Sequence, residues 1–91
     1  MTMSMKSHEE QVTPADHRLK RIVSEVLLID DEEYQDGYGQ DDIAGWDSLA
    51  MVVLGSALEK EFGLPVPVDE MAAFRSIGDI KAFCRSHGVE V

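Results

Sequence analysis

Apolar residues recur at a helical spacing from Leu19 onward. The four residues Thr13-Pro14-Ala15-Asp16 supply a capping side chain, a proline suited to a first helical turn and an acid at capping-box spacing. The apolar positions that follow fall on one face of a helix of about four turns. They are Leu19, Ile22, Val23, Val26 and Leu27. Residues 1–12 show no sustained period, and we expect them to form a flexible N-terminal tail.

A second helix is predicted from Asp47 or Ser48 to Phe62. Aspartate and serine are both favoured at the cap position, and Gly63 can end the helix in the left-handed conformation. We expect the buried stripe to contain Leu49, Val52, Val53, Ser56, Leu58 and Phe62.

Two shorter helices are predicted in the last third of the chain. After a segment kept extended by two prolines, Asp69 can cap a short helix from Glu70 to Phe74. Ser76 and Asp79 stand at capping-box spacing and open a last helix, which Gly88 can stop. Its apolar face is formed by Ile77, Ile80, Phe83 and Cys84.

Together these patterns predict an all-α fold. No segment alternates convincingly between apolar and polar residues at period two, as a half-buried strand would. We expect a small bundle of three main helices plus one short helix, with a long loop between the first and second helices. A chain of 91 residues provides for one small domain, which we place at residues 13–91.

The long loop concentrates negative charge. Residues 30–47 hold eight acidic residues and no lysine or arginine, and we expect Ile43 with Tyr34 or Tyr38 to tether this loop to the core. The whole chain carries a formal net charge of −10. Such charge repels nucleic acid and anionic membranes and favours partners with basic patches, although it also simply keeps small domains in solution.

The sequence also constrains the compartment. No apolar run approaches the ~20 residues that a membrane span needs, and the first residues lack the apolar middle of a secretory signal. Cys84 is the one cysteine, so no internal disulfide can form, and we interpret it as a buried apolar side chain. These features favour a reducing compartment, and we expect the cytoplasm.

The motif Gly45-Trp46-Asp47-Ser48-Leu49 holds the candidate chemistry. It places the Ser48 hydroxyl in the first turn of the second helix, beside helix amides and the positive end of the dipole. This environment suits a phosphate ester. It does not activate the hydroxyl as a nucleophile, since that would require an adjacent base and an oxyanion hole.

Two other kinds of site use similar residues and fit poorly. Esterases with a Gly-Asp-Ser-Leu motif have glycine where this chain has Trp46, and the three histidines lie near the two ends of the chain, far in sequence from Ser48. Aligning Gly37 with the glycine of an EF-hand puts a tyrosine and an isoleucine at ligand positions. We therefore predict neither a catalytic residue nor a metal site.

The chain resembles the acyl carrier protein family over roughly residues 15–88. Gly45-Trp46-Asp47-Ser48-Leu49 is similar to the family's Asp-Ser-Leu attachment motif. Residues 57–64 resemble the family's Ala-Leu-Glu-x-Glu-Phe-Gly-Ile helix ending. Pro67 and the run that begins Ser76-Ile77-Gly78-Asp79 match a proline and a helix start of the family. The order and spacing of these signals make the resemblance specific.

The resemblance implies that the protein is a carrier and not an enzyme. Ser48 matches the serine that holds 4′-phosphopantetheine, derived from coenzyme A, and Asp47 and Leu49 match its flanks. The implied partners are a phosphopantetheinyl transferase and enzymes that load or accept acyl groups through basic docking patches. The resemblance further implies a monomer whose docking face holds Asp41, Asp42, Trp46, Met51, Glu59 and Glu61.

Some positions depart from the family pattern. Ala50 and Val53 stand where many fatty-acid carriers have acids, Lys60 separates Glu59 from Glu61, and Gln40 replaces a common apolar anchor. A neutral, apolar start to the docking helix suggests a dedicated partner. The Gly-Trp-Asp-Ser-Leu form resembles free-standing carriers of specialised pathways, such as polyketide or modified-sugar pathways. A peptidyl or aminoacyl carrier and an unmodified acidic interaction module are the alternatives. Trp46 and Met51 also fit a hydrophobic staple, in which case their role is structural.

Overall fold

The computed structural model describes residues 13–91, so the expected flexible tail at residues 1–12 lies outside the described residues. Within the described part the chain is helical and contains no named strand, which confirms the predicted all-α bundle of three main helices and one short helix. The elements are α1 Pro14–Leu27, a 3₁₀ turn at Asp31–Glu33, α2 Ser48–Phe62, α3 Val68–Ala73 and α4 Ile77–Ser86.

The three main helices begin at the predicted capping residues. Thr13, Asp47 and Ser76 each accept a hydrogen bond from the backbone amide three residues later, at 3.0, 2.8 and 3.2 Å respectively. Each cap satisfies one of the amides that a helix start leaves without a partner. Gly63 ends α2 with a φ of 68°, as predicted for a left-handed stop.

The start of the short helix was predicted incorrectly. Asp69 does not cap it, because α3 already begins at Val68 and Pro67 occupies the cap position. The Pro67 ring holds φ at −63°, and its carbonyl accepts hydrogen bonds from the amides of Glu70 and Met71 at 3.0 and 3.1 Å. The proline therefore starts the helix by its backbone geometry, without a side-chain cap.

One apolar core joins the helices and the loop. Its fully buried side chains come from every main helix, and the Phe74 and Phe83 rings meet edge to face with centroids 5.7 Å apart. Ile22, Val26 and Phe62 are only partly buried at its border. The fully buried side chains are Leu19, Val23, Leu27, Leu54, Leu58, Ile77, Ile80 and Cys84.

The buried face of α2 differs from the predicted stripe. Leu49, Val52 and Val53 are exposed, with 71%, 56% and 47% of their surface accessible, and Ser56 is exposed as well. The helix is apolar around most of its first three turns, so its sequence is compatible with more than one face, and packing between α1 and α3 decides. The residues buried instead are Ala50, Met51, Leu54 and Gly55, together with the correctly predicted Leu58.

The acidic loop is fastened to the start of α4. The Ile77 amide donates to the Tyr38 carbonyl at 2.9 Å, and the Gln40 amide donates to the Arg75 carbonyl at 3.1 Å. Ile43 is buried, and Tyr34 and Tyr38 pack against the core, which confirms the predicted tethers. The loop therefore has a fixed path from the end of α1 to the start of α2.

Candidate functional site

Ser48 is the first residue of α2 and its side chain is exposed. The preceding residue, Asp47, has the extended backbone of a cap, and its Oδ1 accepts a hydrogen bond from the Ala50 amide at 2.8 Å. Its backbone carbonyl accepts from the Met51 amide at 3.0 Å. Asp47 thus fixes the helix start from both its side chain and its backbone, and Ser48 is presented to solvent on a rigid turn.

Two buried residues anchor the chain just before Ser48. Ile43 and Trp46 retain 3% and 8% of their surface, and the Trp46 amide donates to the Ile43 carbonyl at 3.1 Å. Between them and the serine, Gly45 packs directly on the end of α1, since a Cβ there would lie 2.7 Å from the Leu27 carbonyl oxygen. Glycine is required at this close approach, and it brings the end of α1 beside the candidate site.

A cavity of about 410 Å³ opens next to Ser48, between α2 and α3. Its walls are mostly apolar, and Gln40, Asp47 and Ser48 are the polar residues among them. An apolar cavity with a few polar groups is the usual form of a small-molecule site. The lining residues are Gln40, Trp46, Asp47, Ser48, Met51, Val52, Val68, Met71, Ala72 and Phe74.

The surroundings of Ser48 fit a phosphate ester with an attached arm. The serine is the first residue of a 15-residue helix that has no acidic side chain in its first turn. Asp47, the cap, is thus the carboxylate at the positive end of the helix dipole, and this end favours a negatively charged phosphate. The adjoining cavity offers apolar surface to a chain that extends from the phosphate. Ser48, Asp47 and the cavity walls would hold 4′-phosphopantetheine, whose thiol supplies the acyl-carrying chemistry.

No histidine is placed to activate Ser48 among residues 13–91. The His87 ring stacks on Phe83 with centroids 4.4 Å apart, its Nδ1 lies 3.0 Å from the Phe83 carbonyl oxygen, and His17 is exposed on α1. Neither histidine lines the cavity beside Ser48. In the same range no group of three or more His, Cys, Asp or Glu side chains could hold a metal ion. Within the described residues, Ser48 therefore has no histidine beside it of the kind that activates a serine nucleophile.

The predicted docking acids fall into different environments. Asp41 and Glu59 are exposed, while Asp42 is exposed but also accepts a hydrogen bond from the Gly39 amide at 3.0 Å. Glu61 is engaged by Arg18, whose Nε lies 2.7 Å from its carboxylate and whose Nη2 donates to its carbonyl at 2.9 Å. Glu61 therefore joins α2 to α1, which reduces the charge that it offers to a partner.

Trp46 and Met51 lie in the core, retaining 8% and 7% of their surface, so the expectation that they belong to an exposed docking face needs correction. Their positions at the helix start place both side chains inward, as the staple alternative requires. Leu49, in contrast, points outward and is 71% exposed. The exposed apolar side chain next to Ser48 is thus Leu49, while Trp46 and Met51 contribute to the walls of the cavity.

The α3 wall of the cavity was not predicted from the sequence. Val68, Met71, Ala72 and Phe74 form this wall, and Val68 is 74% exposed. The spacing of Met71 and Phe74, three residues apart after a helix start, was the available signal. It does not specify a partner, however, because which helix faces α3 depends on tertiary packing.

The geometry agrees with comparisons to known proteins. The family model described as phosphopantetheine attachment site matches residues 17–84. The acyl carrier protein of Rhodopseudomonas palustris (strain BisB18) is 39% identical over 66 residues, which cover 72% of this chain and 84% of that protein. The acyl carrier protein of Sinorhizobium fredii (strain NBRC 101917 / NGR234) and the acyl carrier protein AcpP of Rhizobium meliloti (strain 1021) are each 38% identical over 66 residues, or 72% of this chain and 85% of theirs.

Members of this family are carriers rather than enzymes, and they work with phosphopantetheinyl transferases and acyl-handling enzymes. Among residues 13–91, no helix combines the length and the apolar character needed to cross a bilayer. Three findings indicate the same family: the family model matches most of the chain, the named relatives are acyl carrier proteins, and the fold is a small helical bundle. The chain belongs to the acyl carrier protein family, whose cofactor is covalently attached 4′-phosphopantetheine.

Proposed function

We propose that Ser48 carries the 4′-phosphopantetheine and that the protein presents an acyl thioester on this arm to partner enzymes. The observation that carries the proposal is the exposed Ser48 at the first position of α2, directly beside the apolar cavity. Asp47 holds the helix start through its hydrogen bond to the Ala50 amide. Leu49 offers an exposed apolar contact to the transferase next to the reacting hydroxyl.

The carrier contributes recognition and a raised local concentration of its cargo. A flexible arm fixed at Ser48 confines the acyl group near whichever enzyme is docked, which replaces diffusion in bulk solution. Docking is weak and fast, with Asp41, Asp42 and Glu59 meeting basic patches on the partner. We propose that the protein acts as a monomer in the cytoplasm, in line with its charge of −10 and its single cysteine.

We further propose that its partners belong to a specialised, polyketide-like pathway. The first turn of α2 has no acidic residue, and Leu49, Val52 and Val53 form an exposed apolar strip along the start of that helix. Val68 adds to the exposed apolar surface at the start of α3. Partners suited to this surface need complementary apolar contacts, and charge alone would not make them specific.

The first experiment is the intact mass of the protein after incubation with coenzyme A and a broad-specificity phosphopantetheinyl transferase. We expect a gain of one phosphopantetheine, lost in Ser48→Ala and retained in Ser56→Ala, a matched control because Ser56 is also an exposed serine of α2. Circular dichroism should show the same helical content in all three proteins. A folded wild-type protein that gains no mass would favour an unmodified acidic interaction module instead.

The choice of pathway has a separate test. The modified protein is offered to a malonyl-loading transferase of fatty-acid synthesis, and the initial rate of loading is compared with that of a fatty-acid carrier at low and high salt. We expect much slower loading than for the fatty-acid carrier at both salt concentrations. The missing acids and the apolar strip change the surface that contacts the transferase, and not only the electrostatic attraction during encounter. Equal rates for the two carriers would assign the protein to fatty-acid synthesis.

A further inference from the structure

Leu28 is held in an unusual conformation at the end of α1. Its φ and ψ are 58° and 51°, and it is the only residue other than glycine with a positive φ among residues 13–91. Helices commonly end in this left-handed conformation, but the residue there is usually glycine, because a Cβ is strained. The backbone amides of Leu28 and Ile29 both donate to the Ser24 carbonyl, so a glycine would serve the helix end equally well.

The side chain of Leu28 contributes little to the stability of the fold, because it is not buried. It is 84% exposed, the highest value among the large exposed apolar residues of the described part of the chain. A leucine in the left-handed region is disfavoured by its backbone, and an exposed one gains little from the hydrophobic effect. Both observations point to a side chain retained for contact with another molecule.

Leu28 lies at the same end of the bundle as Ser48. A Cβ on Gly45 would be 3.7 Å from the Leu27 Cα atom, and Gly45 precedes Ser48 by three residues. Counting Cα steps along this path, the separation of Leu28 and Ser48 is at most roughly 20 Å. A standard interface covers about 800 Å² per partner and is therefore roughly 32 Å across. An enzyme docked on Ser48 can contact Leu28 in the same complex.

The surroundings of Leu28 define the chemistry of what it contacts. A recess of about 470 Å³ beside it is lined mostly by apolar residues of the α1 end and of the loop before α2, and Glu33 and Asp42 are its two charged lining residues. Both carboxylates are held by backbone amides, from Asp30 at 2.9 Å and from Gly39 at 3.0 Å. The recess suits an apolar side chain flanked by lysine or arginine.

We propose that Leu28 and this recess form a second docking point for the phosphopantetheinyl transferase that modifies Ser48, an inference that rests on the proposed function. The transferase has to reach the Ser48 hydroxyl and therefore covers this end of the bundle. Its apolar side chain enters the recess and packs on Leu28, and its basic residues meet Glu33 and Asp42. The contact lies away from the reacting hydroxyl, so it contributes to binding and leaves the chemical step unchanged.

The test compares Leu28→Gly, Leu28→Asn and Leu28→Met as apo substrates of a purified phosphopantetheinyl transferase with coenzyme A. Glycine and asparagine tolerate the left-handed conformation but remove the apolar side chain. We expect both to raise KM about tenfold or more with kcat unchanged, and Leu28→Met to stay near the wild-type KM. The melting temperature of Leu28→Gly should equal or exceed that of the wild type, so unfolding cannot cause the loss.

Each other outcome overturns the inference. An unchanged KM for Leu28→Gly and Leu28→Asn, with normal modification of the wild type, removes the docking point and leaves the role of Ser48 intact. A wild-type protein that is not modified at all refutes the proposed function itself. A wild-type dimer in sedimentation that Leu28→Gly converts to a monomer assigns the contact to a second copy of this chain. A fall in kcat at constant KM would place Leu28 in the chemical step and contradict remote docking.

Discussion

Replacing Gly39 by alanine is expected to release the acidic loop from the start of α4. Gly39 is buried and forms an antiparallel bridge with Ser76. A Cβ on Gly39 would lie 2.1 Å from the Arg75 carbonyl oxygen and 3.2 Å from the Ser76 Cα atom. These atoms are backbone and cannot rotate aside, so the two segments have to separate.

The magnitude follows from what the bridge holds together. Separation breaks the hydrogen bond from the Ile77 amide to the Tyr38 carbonyl, 2.9 Å, and the one from the Gln40 amide to the Arg75 carbonyl, 3.1 Å. Each such bond contributes about 0.5–1.5 kcal/mol net, and buried groups left without partners cost more. We expect Gly39→Ala to lower the free energy of unfolding by about 2–4 kcal/mol, a large part of the total for so small a domain.

Gly37 supplies a matched control two residues away. A Cβ there would meet nothing within 4 Å, and Gly37 is not among the glycines with a positive φ. Gly37→Ala should therefore stabilise the protein by about 0.4–1 kcal/mol, because alanine restricts the unfolded chain. Urea unfolding followed by circular dichroism at 222 nm gives both values from one assay. Free energies of unfolding that agree within about 0.5 kcal/mol would refute the proposed clash.

Three further predictions concern the docking acids and the thiols. Glu61→Gln should lower the free energy of unfolding by about 0.2–1 kcal/mol, as expected for an exposed ion pair with Arg18, and should leave the KM of the transferase unchanged. Glu59→Gln should raise that KM without loss of stability, because Glu59 is exposed. The opposite pattern would contradict these roles. Burial raises the pKa of the Cys84 thiol from 9.0 to about 11. In the protein that carries phosphopantetheine, a disulfide reagent at pH 8 should therefore react rapidly with one thiol, that of the arm, and with Cys84 only after unfolding in urea. Since the unfolded chain loses the Cys84 proton first, stability should fall as the pH rises above about 9, and Cys84→Ala should lack that part of the slope.

The helix limits could be predicted because their signals are local. Thr13, Asp47 and Ser76 cap helices through hydrogen bonds to amides three residues away, and Gly63 ends α2 by its own backbone conformation. Such signals depend on a few neighbouring residues and survive in any tertiary context. The exception is α3, where Pro67 acts through its φ and carbonyl, a weaker signal than the Asp69 side chain beside it.

The face of α2 could not be predicted because the helix is apolar on most sides. Ala50, Met51 and Leu54 face the core, while Leu49 and Val52 face solvent. Periodicity cannot choose between these faces when both hold aliphatic residues. The choice depends on α1 and α3, which pack on α2 from positions distant in sequence.

The same limit applies to the candidate site. The position of Ser48 on the first turn of α2 followed from the local motif, and the structure places it there. The cavity wall from α3, the pairing of Glu61 with Arg18 and the exposure of Leu28 are tertiary facts. In each case the residue itself can be read from the sequence, but its partner lies 16 or more positions away or is solvent.

Charge and apolar surface have separate consequences for recognition by this carrier. Exposed acids such as Asp41 and Glu59 raise the rate of encounter with any basic partner, but each exposed ion pair adds only about 0–1 kcal/mol and is weakened by salt. They cannot distinguish among partners that all present basic patches. Leu28, Leu49 and Val52 are exposed at defined positions around Ser48, and a partner has to match their shape to bury them. Selectivity among acyl-handling enzymes should therefore follow exchanges at these apolar positions, and neutralising the acids should slow all partners alike.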